Sequence, residues 1–373
     1  MYAAITSNGD IVYANDLKEK VDQPTIYCPT CQQELTHKIS STGKGYFSHI
    51  TSCQSDTQVR HTQESQTHQS AKLLLQNSLE AAGYAVQIEY PIESVQQIAD
   101  VYVFNGQSRS PKQVIEFQKV PIGSEMIRFR TQNYLQVVDT CIWLIDEEIF
   151  KGGYRQTWLQ TMLYYSSVIG FYWQALNVSK EEWVIKFKMP IIYQSHRIQL
   201  CEKRLSLKEP IGSQWEFPDD FLNGKGKVHY PIYRRPQRKA TYFKQLKELM
   251  TQSTYQKDIR ELYAKGVLLQ ALPQWMVIEK WQILVFKTPG WLCLAWCFTI
   301  VKDYGYRSFT KADLERDINE LVQAGHLKLA DMPLVKENLI SLFVPNLVNL
   351  LLEKELLERV GYQRWQLHSK LWV

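Results

Sequence analysis

Asp100 and Glu116 stand in neighbouring runs that alternate polar and apolar residues, QQIADVYVF (96–104) and QVIEFQ (113–118), with Asn105-Gly106 between them. Such runs read as the arms of a β-hairpin, where residues two apart share a face; Glu116 and Gln118 then point the same way, and the turn brings Asp100 alongside. A lone carboxylate among Ile, Val, Tyr and Phe is costly to bury unless something pairs with it. Two carboxylates converging at a sheet edge are oxygen ligands suited to Mg²⁺ or Mn²⁺. The same period of two also accommodates both acids on the solvated side of an antiparallel sheet.

A second constellation is Cys28-Pro29-Thr30-Cys31, followed after seventeen intervening residues by His49-Ile50-Thr51-Ser52-Cys53. A C-x2-C knuckle meeting an H-x3-C pair supplies the four N and S ligands of tetrahedral Zn²⁺, and with all four positions filled by protein the ion is structural. His37 and His61 are the nearest rivals for the fourth ligand. The seven cysteines are odd in number and unevenly spread, which suits a reducing compartment better than a disulfide framework. Cys293 and Cys297, four apart beside Leu292, Leu294 and Trp296, read as a buried helix face.

A third is basic. Between Gly224 and Lys247 stand Lys225, Lys227, Arg234, Arg235, Arg238, Lys239, Lys244 and Lys247 with no acid, interleaved with Tyr230, Tyr233, Tyr242 and Phe243. Cations attract phosphates and rings stack on unpaired bases, so this stretch suits a nucleic acid; a solvated linker running into a helix is the plainer reading. Residues 1–150 carry 11 Lys and Arg against 17 Asp and Glu, and residues 151–373 carry 32 against 21. An acidic front beside a basic back fits a division between metal binding and polyanion binding.

The elements that must position these groups follow from the patterning. YAAIT and IVYA around Ser7-Asn8-Gly9-Asp10 form a hairpin. Residues 63–82 read as a helix with Leu73, Leu74 and Leu79 on its apolar side and Gly83 as its stop. Strand-like runs lie at 84–92, 97–104 and 112–119; a helix runs from Pro121 to about 137, and DTCIWLID (139–146) is a buried strand. Residues 154–200 are rich in Trp and Tyr and show no single period, and 206–231 collects Pro and Gly as a linker. Beyond 240 the pattern is mostly helical, with a capping box at Thr310–Asp313 opening a helix faced by Leu314, Ile318, Leu321 and Val322 and closed by Gly325. Residues 351–367 suit a helix followed by a small hairpin, as in winged-helix modules, or further helical packing. The longest apolar stretch, WLCLAWCF, falls short of the ~20 residues that cross a bilayer, and the start lacks a leader, so the expectation is a cytoplasmic protein.

Taken together, Cys28-Pro29-Thr30-Cys31, Phe47-Ser48-His49, Glu64-Ser65 with His68 and Lys72, Ala99-Asp100-Val101, Ile115-Glu116-Phe117-Gln118, Arg128, Tyr134 and Ile142-Trp143-Leu144 resemble the bacterial competence protein CoiA family. That resemblance implies an α/β (α+β) restriction-endonuclease-like core of the PD-(D/E)xK superfamily: a helix, a three-stranded meander, a helix and a further strand. It implies Asp100 and Glu116 as ligands of catalytic Mg²⁺ or Mn²⁺, with Glu64 as a third carboxylate. Gln118 stands where the superfamily usually has Lys; an amide can position water but adds no charge, and Lys72 or Lys112 are the candidates to supply it. His68 and Arg128 read either as phosphate contacts or as partners of nearby acids.

The expected organisation is a zinc module over 1–62, the nuclease-like domain over 63–150, an aromatic-rich extension over 151–205, a basic linker over 206–240 and a mostly helical domain over 241–373. The expected role, by resemblance, is cleavage of single-stranded or branched DNA during natural transformation, beside a recombinase and other competence proteins. A DNA-binding accessory factor without cleavage is the alternative, and a zinc-containing interaction protein the third reading.

Overall fold

The computed structural model describes residues 3–7, 11–14, 17, 25–28, 33–39, 45–50, 66–104, 112–152, 157–194, 200–208 and 239–368. Glu64, Cys31, Cys53, His61, Lys225, Lys227, Arg234, Arg235 and Arg238 lie outside them. The chain divides into two compact units. One holds residues 1–159, 173–185 and 204–224, the other 160–172, 186–203 and 225–373.

The first strands, β1 (Ala3–Thr6), β2 (Ile11–Tyr13), β3 (Ile26–Tyr27), β4 (Glu34–Ile39) and β5 (Gly45–His49), form a sheet in the order β2-β1-β3-β4-β5. The hairpin of β1 and β2 pairs Ala3 with Tyr13 and Ile5 with Ile11. Gly45 is required where it stands, because a Cβ there would lie 2.3 Å from the Ala14 carbonyl oxygen and 2.7 Å from His37 Nε2.

Helix α1 (Gln66–Ala81) follows, then β6 (Val86–Ile92), β7 (Gln97–Val103), β8 (Gln113–Gln118), α2 (Ser124–Tyr134) and β9 (Thr140–Asp146). Strands β6, β7 and β8 are an antiparallel meander, and β9 lies parallel to β8 with Glu116 opposite Trp143. Helix α1 buries Ala71, Leu75, Ser78 and Leu79, with Lys72 among them. That stripe differs from the expected Leu73, Leu74 and Leu79: the i, i+4, i+8 row through residues 71, 75 and 79 faces the sheet and leaves Leu73 and Leu74 half-exposed. Fully burying an aliphatic side chain of this size is worth roughly 2 kcal/mol. Gly83, at φ +88°, ends the helix as expected. Helix α2 begins at Ser124 because Gly123 before it is extended, and it buries Ile127, Thr131 and Tyr134 on the i, i+4, i+7 row.

The aromatic-rich stretch resolves into α3 (Thr157–Thr161), β10 (Tyr164–Ser166), β11 (Gly170–Asn177), β12 (Glu182–Met189), β13 (Ile192–Gln194) and β14 (Cys201–Ser206). These residues extend the sheet of the meander, in the order β14-β12-β11-β9-β8-β7-β6 with β10 on β11. The junction is parallel, with Ala175 opposite Ile145 and Leu176 opposite Asp146.

The C-terminal residues form α4 (Lys239–Thr251), α5 (Gln256–Ala264), α6 (Gln274–Ile278), β15 (Trp281–Ile283), α7 (Gly290–Tyr304), β16 (Phe309–Thr310), α8 (Lys311–Gln323), α9 (Leu339–Glu353), β17 (Leu357–Gly361) and β18 (Arg364–Leu367). The Thr310–Asp313 capping box is present, with both reciprocal bonds made. Strands β16, β18 and β17 make a small sheet in that order, so the helix-then-hairpin reading of 351–367 describes these residues. Cys293 and Cys297 are buried on α7, and burial, with the bond to Cys297, pushes the Cys293 thiol well above its ordinary range. No helix among the described residues is long and apolar enough to cross a membrane.

Candidate functional site

Strands β7 and β8 keep their register from Val103 opposite Gln113 to Val101 opposite Ile115. The next residues are Asp100 and Glu116, and there side chains take over from the ladder. The Phe117 N–H donates to Asp100 Oδ2 at 2.9 Å, and the Asp100 N–H faces Glu116 Oε1 at 3.4 Å. The two acids predicted to stand side by side therefore occupy the point where the strand pair opens.

Their partners come from different helices. His68 of α1 places Nε2 3.0 Å from Asp100 Oδ2, and its ring lies 5.5 Å from that of Phe117. Four residues on, Lys72 is 1% exposed and pairs with Glu89 of β6. Glu89 falls directly across from Asp100, between the pairs Ile88 with Val101 and Tyr90 with Ala99. It adopts a left-handed backbone, φ +51°, a conformation that strains a residue with a Cβ.

Glu116 is 1% exposed and is held by α2. Arg130 Nη2 reaches both of its oxygens at 2.8 Å, and the Tyr134 hydroxyl donates to Oε1 at 2.7 Å. The Ile98 carbonyl accepts from Arg130 at 3.0 Å and from Tyr134 at 2.9 Å. The guanidinium also lies 5.6 Å from the ring centres of Tyr134 and Trp143. Trp143 anchors α2 in turn, donating to Thr131 Oγ1 at 2.9 Å. Consecutive residues of a strand point to opposite faces. Phe117 beside His68, and Glu116 beside Arg130, thus mark the faces covered by α1 and by α2.

Burial is the largest influence on both carboxyls and pushes both upward. At Asp100 the charge and hydrogen bond of His68, then Lys72 and Arg130, reverse it and hold the carboxyl well below the ordinary carboxylate range. At Glu116 burial, joined by the charge of Asp100, outweighs Arg130 and Tyr134, and the carboxyl is pushed up to about 7. Arg130 itself is driven upward: burial would lower it, but Glu116, Tyr134 and Asp100 prevail.

Other residues singled out by the sequence fall as follows. The Gln118 amide donates to the Val120 carbonyl at 2.7 Å, and Lys119 beside it donates to Thr67 Oγ1 at 2.8 Å. Lys112 lies just before β8, where its N–H donates to Asp139 Oδ2 at 2.8 Å. Arg128 is half-buried on α2, and Lys239 opens α4. His68, read as orienting a phosphate or a carboxylate or as a partner of Glu64, lies against the carboxylate of Asp100.

In the N-terminal sheet Cys28 is fully buried, and its N–H donates to the Gln33 carbonyl at 2.8 Å. Leu35 of β4 faces Ile26 on one side and His49 on the other, so β5 leaves the sheet at the end where Cys28 follows β3. His37, a rival ligand, sets Nε2 2.7 Å from the Ala14 carbonyl oxygen.

As donors, two carboxylates suit a hard divalent cation in kind. Asp100 is held in its charged form, whereas Glu116 already has a cation in Arg130. Among the described residues, the His, Cys, Asp and Glu side chains whose ligand atoms gather in a group of three within 4.8 Å are Asp258, Glu261 and His326.

Arg130, Tyr134 and Glu89 complete this site and were not among its predicted members. Tyr134 is named in the family resemblance without a role, and Arg130 carried one legible signal, its i, i+4 spacing from Tyr134 on a helix that follows the acid-bearing strand.

Residues 64–210 match the family model described as competence protein CoiA, nuclease-like domain. No curated protein and no solved structure matches the chain.

Proposed function

We propose that this chain, which belongs to the competence protein CoiA family, is a metal-dependent deoxyribonuclease acting on single-stranded or branched DNA through a PD-(D/E)xK-like core. The observation that carries the reading is the pair of sequestered acids at the opening between β7 and β8, one of them held ionised by His68, Lys72 and Arg130. Asp100 and Glu116 would hold Mg²⁺ or Mn²⁺, which when bound supplies Lewis-acid polarisation of the phosphoryl oxygen and a water of lowered pKa. His68 orients Asp100 by bonding Oδ2, the oxygen that also accepts from Phe117. Lys72, already paired with Glu89, contributes positive potential at Asp100 without leaving that partner. Gln118 offers an amide for positioning water and no charge. Glu64 is the proposed third carboxylate, and Cys28, Cys31, His49 and Cys53 the proposed ligands of a structural Zn²⁺. The basic stretch including Lys225, Lys227, Arg234, Arg235, Arg238 and Lys239, with Arg128, is the proposed track for the DNA backbone. The proposed setting is the cytoplasm, beside a recombinase.

A second reading has its own support: Arg130 and Tyr134 engage both oxygens of Glu116, and the Gln118 amide turns to Val120. A carboxylate neutralised in that way suits a DNA-binding accessory that does not cut. Purified protein incubated with Mg²⁺ or Mn²⁺ and labelled linear, single-stranded and four-way DNA separates the two. Metal-dependent cutting that disappears in Asp100→Ala and in Glu116→Ala carries the nuclease; binding without cutting in any metal carries the accessory.

A further inference from the structure

The run α7, β16, α8, α9, β17, β18 closes on a three-stranded sheet whose last two strands form an antiparallel hairpin. Its tip is Tyr362-Gln363, with Gln363 at φ +51° to make the tight reversal. Tyr362 is 90% exposed, and Val360 beside it is 46% exposed. Below the tip the hairpin is anchored: Leu357 faces Leu367 with both buried, Glu358 accepts from Gln366 at 2.6 Å, and Trp365 is buried opposite Arg359. The exposure of Tyr362 therefore belongs to an ordered projection.

Several cations of this run are already paired. Lys311 pairs with Glu315, Arg316 with Asp313 and Asp317, and Lys354 with Glu279. Arg359 and Arg364 are exposed and have no ion-pair partner among the described residues. They flank Tyr362 in sequence, three residues before and two after it, and no acid lies between them. The preceding helix, α9, contains neither Lys nor Arg, and its apolar face, including Ile340, Phe343, Val344, Leu347 and Leu351, is buried. Helix α9 thus offers little to a polyanion, and the hairpin offers two unpaired guanidiniums around an aromatic ring.

We propose that the β17–β18 hairpin is a single-strand DNA contact, with Tyr362 stacking on an unpaired base and Arg359 and Arg364 bonding the flanking phosphates. It rests on the reading that the chain acts on DNA and gives that activity a hold on the strand apart from the acid pair. Rings stack on any base, so the contact tolerates any sequence, and its charge component falls with salt. In a duplex the bases are already stacked, which leaves Tyr362 without a partner.

The test uses the full chain carrying Asp100→Ala, without divalent metal, and fluorescence anisotropy with a labelled oligothymidylate and a matched duplex. Tyr362→Ala should weaken single-strand binding about tenfold, Tyr362→Phe should leave it unchanged, and duplex binding should not respond to either. Arg359→Ala with Arg364→Ala should flatten the dependence of log affinity on log salt by roughly 1.4, two single-strand phosphate contacts. An iodouracil-substituted oligonucleotide should photocrosslink to Tyr362. Unchanged affinity and salt slope in these variants, or crosslinks confined to other residues, overturn the proposal. So does a parent protein that binds no single strand. Loss of binding in the hairpin variants, with no cleavage by the unmutated chain in any metal, leaves the hairpin contact standing and removes the nuclease instead.

Discussion

On the α1 side of the opened strand pair, Asp100 meets a histidine and, beyond it, a lysine already paired to Glu89; on the α2 side, Glu116 meets an arginine and a tyrosine in direct contact. Counting partners alone would make Glu116 the more strongly ionised of the two. The order is the reverse: Asp100 stays charged and Glu116 holds its proton up to about 7. Desolvation explains the inversion, because Glu116 is 1% exposed and also feels the charge of Asp100. Of two like charges placed close together in a poorly solvated site, one is favoured and the other suppressed. The lesson is that the environment, more than the number of bonds, sets which acid is ready to serve as an anion.

Several measurements can break or sharpen this contrast. The largest effect should come from Lys72→Met, which strands Glu89 beside Asp100 without its cation; breaking a buried pair of this kind costs about 3 kcal/mol, read by urea denaturation. Adding Glu89→Gln should recover much of the loss. If Lys72→Met alone were neutral, the α1 side would owe its charge balance to something else.

Next comes pH. Folded Glu116 binds its proton more tightly than the unfolded chain does, so its contribution to stability is complete below its ordinary value of 4.5 and is lost as pH rises through about 7. Asp100 runs the other way, its contribution present above the ordinary carboxylate range and lost as pH falls toward its lowered folded value. Metal-free protein denatured between pH 5 and 8 should lose on the order of 2 kcal/mol that Glu116→Gln does not lose. Parallel curves for the two proteins would remove the inversion.

Smaller effects should come from single hydrogen bonds. Tyr134→Phe removes a donor to Glu116 and should cost about 1 kcal/mol while raising the Glu116 pKa further, a shift that carbon-13 NMR of the carboxyl can follow. His68→Gln should cost no more than that and should let the Asp100 carboxyl rise; an Asp100 signal that does not move would show that Lys72 and Arg130 suffice.

How much of this was legible follows from the range of each signal. The meander and the helix after it were readable because their periods of 2 and 3.6 are local, the buried strand at 140–146 because it is a short unbroken apolar run, and the capping box at Thr310 because it is four residues long. The burial of Lys72 was not readable, since nothing in the helix says that a glutamate 17 residues on, in the next strand, will turn its backbone left-handed to meet it. Tyr134 was singled out by the family resemblance without a role, and Arg130 looks like an ordinary polar position on α2 until the face of the sheet it covers is known. His68, four residues after Glu64, invited a partner within its own helix; its bond to Asp100 spans 32 residues of sequence. The stretch from 154 to 200 resisted parsing because strands such as β11 and β12 bury nearly every side chain and so show no alternation.

The parallel seam between β9 and β11 sets where this polypeptide can be cut. Ending it at residue 150, where the nuclease-like motifs stop, would strip β9 of a neighbour at Ile145 and Asp146 and open one border of a buried strand. Such a border recruits other chains. A fragment meant to remain monomeric has to keep the strands through residue 206, close to where the family match ends at 210.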